Sequence, residues 1–245
     1  MEIRTKIDLR RGDCLELMKD IPDGSVDLIL CDLPYGRTKN RWDKQIPFEP
    51  LWEQYERIIK KNGAIVLFGS EPFSTRLRMS NLKLYRYDWI WKKNKATQYL
   101  NARKMPLNNY ELISVFYKKL PTYNPQMGQG KPYSNKHKPG DSGACYGNVG
   151  YSERKNVTTR YPQRIIEFGV DMKAEYHTTQ KPVPLLEYLI KTYTNPGDVV
   201  LDNCMGSGST GVACINTGRS FIGIELEQDF FNVAIDRIAK AQAAL

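Results

Sequence analysis

The stretch Val199-Val200-Leu201-Asp202-Asn203-Cys204-Met205-Gly206-Ser207-Gly208-Ser209-Thr210 decides how the rest of the chain is read. A β-branched run ends at an acid, a Gly-rich turn follows, and Gly211-Val212-Ala213-Cys214-Ile215 continues as helical text. The pattern is strand, tight loop, helix. Glycines at 206 and 208 permit positive φ and let a ligand approach the backbone closely. Twenty-three residues after Asp202, the apolar run Phe221-Ile222-Gly223-Ile224 closes on Glu225. In a nucleotide-binding α/β fold, an acid at that spacing on the neighbouring strand is placed for ribose hydroxyls. The glycines alone would read as an ordinary tight turn. Turn, helix and spaced acid together point to a nucleoside.

The 245 residues suffice for one α/β domain with a full core and an inserted subdomain. No apolar run reaches the roughly 18 residues of a membrane span, and the charged start Met1-Glu2-Ile3-Arg4 is unlike a signal peptide. A cytoplasmic protein with no membrane partner is expected. Five cysteines (14, 31, 145, 204 and 214) form no C-x-x-C pair and read as small hydrophobes in a reducing compartment. Two distant histidines, His137 and His177, give no basis for a metal site and read as structural or phosphate-facing. The net charge of +9 is uneven: residues 83–138 hold twelve Lys/Arg against Asp88 and Glu111, with seven tyrosines. A basic, aromatic middle suggests a polyanion partner, against the plainer reading of a solvated face.

Taken in order, Ile7 to Asp13 reads as a strand ending at an acid, and Cys14 to Ile21 as a helix. Val26-Asp27-Leu28-Ile29-Leu30-Cys31 reads as a strand buried on both faces. It delivers Asp32-Leu33-Pro34-Tyr35-Gly36 at its C-terminal end, where parallel sheets bind ligands. A loop carrying Trp42 spans 37–47; a helix follows from Phe48 to Ile59 with Gly63 closing it, and then a strand from Ala64 to Phe68. A short helix is expected at Phe73 to Met79, and strands at Asp88 to Trp91, Glu111 to Tyr117 and Arg164 to Phe168. Between Leu120 and about Ser152 no period survives, which predicts a long irregular insertion. Helices are expected from Pro184 to Tyr193 and from Gln228 to Ala243.

Asp32-Leu33-Pro34-Tyr35 is the second focus. A carboxylate, a main-chain carbonyl held extended by the following proline and an aromatic ring can together hold a planar exocyclic amine. The two acceptors take its N–H groups, the ring stacks on the base, and the nitrogen lone pair is turned toward an electrophile.

With both stretches in view, the chain resembles the amino-group DNA methyltransferases that use S-adenosylmethionine. In that family [DNS]-P-P-[YFW] is catalytic and D-x-F-x-G-S-G-T binds the cofactor. The tetrapeptide comes first here and the cofactor loop last, with the target-recognition region between them, an order that resembles the β class. Gly12-Asp13-Cys14-Leu15 and His177-Thr178-Thr179-Gln180-Lys181-Pro182 resemble further elements of the family. The resemblance implies an α/β fold with a Rossmann-like, mostly parallel methyltransferase sheet, circularly permuted motif order and a loop-rich insertion. It divides the chain into a catalytic part at 1–119, a target-recognition insertion at 120–175 and a cofactor-binding part at 176–245.

The resemblance further implies that Asp32 and the carbonyl of Leu33 accept from the target amine, with Pro34 restricting Leu33 and Tyr35 stacking on a flipped base. Asp13, beside Cys14, would meet the adenine of S-adenosylmethionine, and Glu225, followed by Leu226, the ribose. Asp202, Asn203, Cys204, Gly206, Ser207 and Gly208 would wrap the methionine part, and Thr179, Gln180 and Lys181 its carboxylate end. Arg103, Lys104, Lys118, Lys119, Lys131, Lys136 and Lys138 are the candidate contacts to double-stranded DNA, with Tyr123, Tyr133, Arg154, Arg160 and Arg164 as further ones. Relatives often pair as homodimers and occur in bacterial restriction–modification systems or in phages.

Two positions depart from the pattern. Leu33 replaces the first proline, and Asn203 and Cys204 replace the usual Pro and Phe. Asp at position 32 favours N6 of adenine over N4 of cytosine. A DNA-binding homologue with weakened chemistry is one alternative, and a methyltransferase for RNA or for a protein glutamine is another. The motif order counts against the last.

Overall fold

In the computed structural model, residues 5–36, 43–138, 150–170 and 180–244 are described. Trp42, Cys145, His177, Thr178, Thr179 and the side chain of His137 lie outside them. The first half of the chain runs β1 (Ile7–Arg11), α1 (Cys14–Leu17), β2 (Val26–Cys31), α2 (Phe48–Ile58), β3 (Ile59–Gly69), α3 (Phe73–Ser80), β4 (Tyr85–Thr97) and β5 (Asn108–Phe116). The second runs β6 (Gly128–His137), β7 (Ser152–Arg160), β8 (Ile165–Phe168), α4 (Val183–Tyr193), β9 (Val199–Asp202), α5 (Ser209–Thr217), β10 (Ser220–Glu225) and α6 (Gln228–Ala243).

Among the described residues, eight strands form one sheet in the order β1-β10-β9-β2-β3-β5-β4-β8. The first five are mutually parallel; β5 runs antiparallel to β3 and β4, and β8 is parallel to β4. The sheet is thus mostly parallel, with helices on both faces. Strand β2 shows why its sequence is apolar from Leu28 to Cys31. Leu28 and Leu30 enter a core with Leu185 and Leu189 of α4, Ala213 of α5 and Ile238 of α6. Ile29 and Cys31 point the other way, into a core with Met18, Leu51, Trp52, Tyr55 and Leu77. A central strand covered twice has no polar face to show.

The structure differs from the sequence reading at three places. The first helix is one turn, Cys14–Leu17, followed by a 3₁₀ turn at Met18–Asp20. Gly63 does not close α2. The helix ends at Ile58 because Ile59 is already extended, and Gly63 lies inside β3. A Cβ at Gly63 would stand 2.8 Å from the Asp27 carbonyl oxygen, so close approach to β2 explains the glycine. The stretch 120–152 is not wholly irregular: β6 pairs antiparallel with β7, from Gly128 opposite Arg160 to His137 opposite Ser152. Strand β7 is exposed along nearly its whole length, so no buried face imposes the alternation by which strands are recognised.

The chain forms two compact units, one of Met1–Asn124 with Arg164–Leu245 and a smaller one of Pro125–Gln163. The compact insertion is therefore narrower than 120–175. Asn124 donates to the carbonyls of Lys191 and Thr194 at the end of α4, and β8 pairs with β4, which ties both flanks to the main unit. Among the described residues, no helix is long and apolar enough to cross a membrane, and none of the His, Cys, Asp and Glu groups could hold a metal ion.

Candidate active site

Strands β2 and β9 are neighbours, with Leu28 opposite Val200 and Ile29 opposite Leu201. From β2 the chain winds to β3 on one side, and from β9 to β10 on the other. Their carboxyl ends therefore flank the crevice where the winding reverses, which is where open α/β sheets take ligands. Acids stand in a row along this rim: Asp13 after β1, Glu225 ending β10, Asp202 ending β9 and Asp32 after β2. A cavity of about 760 Å³ opens above them, and both Tyr35 and Gly206 line it. Two loops separated by some 170 residues of chain thus share one opening.

On the β9 side the chain's own groups hold the loop in shape. Asp202 is buried and accepts from the Thr210 hydroxyl at 2.6 Å and the Cys204 N–H at 3.1 Å. Burial pushes its pKa up to about 6. Glu225 accepts from the N–H of Gly206 at 2.8 Å and of Glu227 at 2.9 Å, which ties the loop to the end of β10. Burial raises the Glu225 pKa, and these backbone donors pull against the rise. Gly206 (φ 51°) and Gly208 (φ 77°) both take left-handed backbone. A Cβ on Gly206 would meet nothing within 4 Å, so the loop leaves open space there. A Cβ on Gly208 would lie 2.9 Å from Ala234 Cβ, so that glycine is needed to seat the loop on α6.

On the β2 side, the Tyr35 hydroxyl donates to Asp32 Oδ1 at 2.7 Å, and its ring stacks on Phe73 at 4.8 Å between centroids. Lys181 Nζ donates to Asp32 Oδ2 at 2.5 Å. The same ammonium lies 3.3 Å from Glu111 Oε2, while Lys93 donates to Glu111 Oε1. The Lys181 side chain is 10% exposed and that of Glu111 14%. Burial alone would lower the Lys181 pKa, but the carboxylates of Asp32 and Glu111 outweigh it and raise it. Burial pushes Glu111 upward, and Lys181 and Lys93 more than reverse it. Tyr35 is raised by burial and by the negative charge of Asp32 and Glu111, so its phenol stays protonated and can donate.

The family model described as DNA methylase, that of the N6/N4 methyltransferases, matches residues 26–236. The chain belongs to this DNA methylase family. It is 30% identical over 247 residues to the DNA adenine methyltransferase YhdJ of Escherichia coli K12, covering 93% of this chain and 81% of that protein. It is 28% identical over 264 residues to the Type II methyltransferase M.HinfI of Haemophilus influenzae, covering 93% and 67%. The crystal structure of the M1.HpyAVI–SAM complex superposes with a TM-score of 0.66 at 26% identity, over 95% of this chain and 98% of that one. The cytosine-N4-specific PvuII DNA methyltransferase shares the fold, with a TM-score of 0.66 at 15% identity over 98% and 92%.

In this methylase, Asp13, Cys14, Asp32, Leu33, Pro34, Tyr35, Gln180, Lys181, Asp202, Asn203, Cys204, Gly206, Ser207, Glu225 and Leu226 all line the one cavity. Gly208 seats the loop from behind, and Thr179 lies outside the described residues. Three of these side chains also have partners within the chain. Lys181 reaches Asp32 and Glu111. Asn203 turns inward, accepting from the Tyr55 hydroxyl at 2.5 Å with its amide 3.5 Å from the sulfurs of Cys14 and Cys204. Asp13 caps α1 by accepting from the Leu15 N–H at 2.8 Å.

The sequence reading missed Glu111 and Arg237. Arg237 of α6 donates to the Ser207 carbonyl at 2.6 Å and hydroxyl at 2.8 Å, clamping the loop after β9. Glu111 carried one legible signal, as the single acid within the basic stretch 89–138. Within the main unit the basic candidates do not gather in one place. Arg103 and Lys104 lie exposed beyond the rim-side end of β5, whereas Lys118 and Lys119 follow its opposite end, and Lys118 donates to the Glu56 carbonyl at 2.8 Å. An antiparallel strand carries its two ends to opposite edges. Lys131, Lys136 and Lys138 belong to the smaller unit, where Lys136 pairs with Glu153 at 3.2 Å.

Proposed function

We propose that this chain is an S-adenosylmethionine-dependent DNA methyltransferase that methylates the exocyclic N6 amine of adenine in double-stranded DNA. The observation that carries the reading is the adjacency of β2 and β9, which brings the Asp32 and Gly206 loops to one cavity. The residues present fit the cofactor. Open space lies over Gly206, and carboxylates at Asp13 and Glu225 sit on neighbouring strand ends, where an adenosyl group needs acceptors for its amine and ribose hydroxyls. Asp13, Glu225, Asp202 and the 203–208 backbone would hold it; bound there, it supplies an electrophilic methyl group.

The chain's own part in the reaction is placement. Asp32 and the Leu33 carbonyl accept the two N–H bonds of the amine, which fixes the direction of its lone pair. To reach Asp32 the amine displaces Lys181 or Tyr35 from a carboxylate oxygen. The Tyr35 ring, already held by Phe73, offers its face to the extruded base. Lys181 keeps the negative charge of Asp32 tolerable in a partly buried site until the substrate arrives. Residues 125–163 serve target recognition, a reading supported by the exposed bases of the β6–β7 ribbon.

Tritiated-methyl transfer from S-adenosylmethionine to unmodified duplex DNA tests this, followed by nucleoside digestion to separate N6-methyladenine from N4-methylcytosine. Asp32→Ala is expected to lower the rate by at least about a thousandfold while cofactor binding persists. Equal incorporation by wild type and Asp32→Ala would exclude the mechanism, and N4-methylcytosine as product would correct the target base.

A further inference from the structure

Strands β4 and β5 continue past the catalytic rim as a projecting arm. Gly69, the last residue of β3, is paired with Leu112, so every β5 residue before Leu112 lies beyond the carboxyl end of that strand. From Leu112 to Asn108 the strand runs outward by roughly 13 Å. Its partner β4 follows to Thr97, opposite Asn108, with an irregularity after Lys92. Gln98 takes left-handed backbone at φ 65° and opens a 3₁₀ turn, Tyr99–Asn101, at the tip. Glu111, at the foot of the arm, lines the cavity.

The tip carries side chains that a solvated hairpin end does not need. Tyr99 is 76% exposed and Leu100 82%, and Met105 and Leu107 are exposed beside them. A cluster of large exposed apolar side chains marks a contact surface. Around it the sequence 89–110 holds Lys92, Lys93, Lys95, Arg103 and Lys104, and its acid count is zero. Lys92 and Lys93 are engaged by Glu167 and Glu111. Lys95, Arg103 and Lys104 are exposed, and among the described residues they form no salt bridge. Charge of one sign bordering an apolar tip suits a polyanion with an apolar interior. Duplex DNA, entered between its base pairs, is that polyanion.

We propose that Tyr99 and Leu100 form a wedge that enters the duplex beside the target base and fills the gap left when that base turns into the cavity. Lys95, Arg103 and Lys104 hold the flanking phosphates. The proposal rests on the reading of the chain as a DNA methyltransferase. Extruding a base costs stacking and pairing, and apolar insertion offsets part of that cost. Phosphate contacts from the same tip place the wedge.

The test uses the full chain, the Tyr99→Ala/Leu100→Ala double variant and two synthetic duplexes. One carries the site found by sequencing plasmid DNA methylated by the wild type; in the other the target base faces a mismatch. The double variant is expected to lose roughly tenfold to a hundredfold in kcat/KM on the paired duplex. On the mismatched duplex, where extrusion is already cheap, it recovers to near wild type, and its S-adenosylmethionine affinity is unchanged. Equal loss on both duplexes, or no loss, overturns the wedge while leaving the methyltransferase reading intact. If the wild type transfers no methyl group to any DNA, the methyltransferase reading fails and the wedge fails with it. If the wild type sediments as a dimer and the double variant as a monomer, the tip is a contact between copies and the proposal is wrong.

Discussion

Asp32 illustrates how a single carboxylate is held ready. It accepts from a phenol and from an ammonium, and that ammonium is shared with Glu111, which Lys93 holds in turn. Each charge in this buried chain is tolerable because its neighbour is opposite, and removing one strands the others. Glu111→Gln is expected to cost about 2–4 kcal/mol in urea unfolding, because Lys181 and Lys93 lose their shared counter-charge. If Glu111 also positions Lys181 for catalysis, kcat falls with KM for S-adenosylmethionine unchanged, and Glu111→Asp recovers part of it. A variant that loses stability at full kcat would make Glu111 purely structural. Asp202 behaves oppositely. Burial raises its pKa to about 6, so the folded chain binds a proton more tightly there than the unfolded chain does. The sign follows: stability from this group grows as pH falls from above 6 toward 4, and above 6 the buried charge is a cost of about 2–3 kcal/mol. The Tm of the wild type relative to Asp202→Asn should therefore rise between pH 8 and pH 5.5; a constant difference would show that Asp202 is not strained by burial.

Elements were legible where one force dominated. β2, β9 and β10 announce themselves by apolar runs ending in acids, because a strand covered on both faces leaves no room for anything else. The β6–β7 ribbon was not legible, since solvent on both sides selects for no pattern. Gly63 misled because a glycine after a helix is ordinarily a cap, and here the backbone of β2 needed the space. The glycines of the loop after β9 offer a clean separation of roles. Gly208→Ala forces a left-handed alanine into the Ala234 backbone and should destabilise by about 2–4 kcal/mol, read as a Tm loss. Gly206→Ala strains the chain by only about 1 kcal/mol, since nothing stands near its Cβ. Its methyl group occupies cavity space instead, so Tm should fall by only about 2–4 °C while cofactor affinity, measured by calorimetry, falls at least roughly tenfold. Similar effects of the two substitutions on both measurements would refute this division.

At the scale of the molecule, the basic residues flanking β5 sort by which edge of the sheet they reach, something composition cannot express. A steep fall of DNA affinity with salt is expected, roughly a hundredfold between 50 and 200 mM. Combined Arg103→Ala and Lys104→Ala should reduce the slope of log Kd against log salt by about 2. Lys118→Ala with Lys119→Ala should leave it unchanged, because these lysines sit at the far end of β5. A slope altered by the second pair would place DNA on that edge. The site as a whole was legible as two motifs and the acids spaced around them. What the sequence could not express was the contact of Lys181 with Asp32, because a residue 149 positions away is brought there only by the closed fold.

The strand order has a further consequence for how the protein is made. The β9–β10 pair is seated between β1 and β2, two strands that leave the ribosome first. Until residues 199–225 emerge, both early strands present bare hydrogen-bonding edges, and apolar β2 lacks half its cover. A nascent chain halted near residue 195 should therefore be a chaperone client, recovered in inclusion bodies when expressed as such, with Asp32 to Tyr35 complete and nothing to hold them.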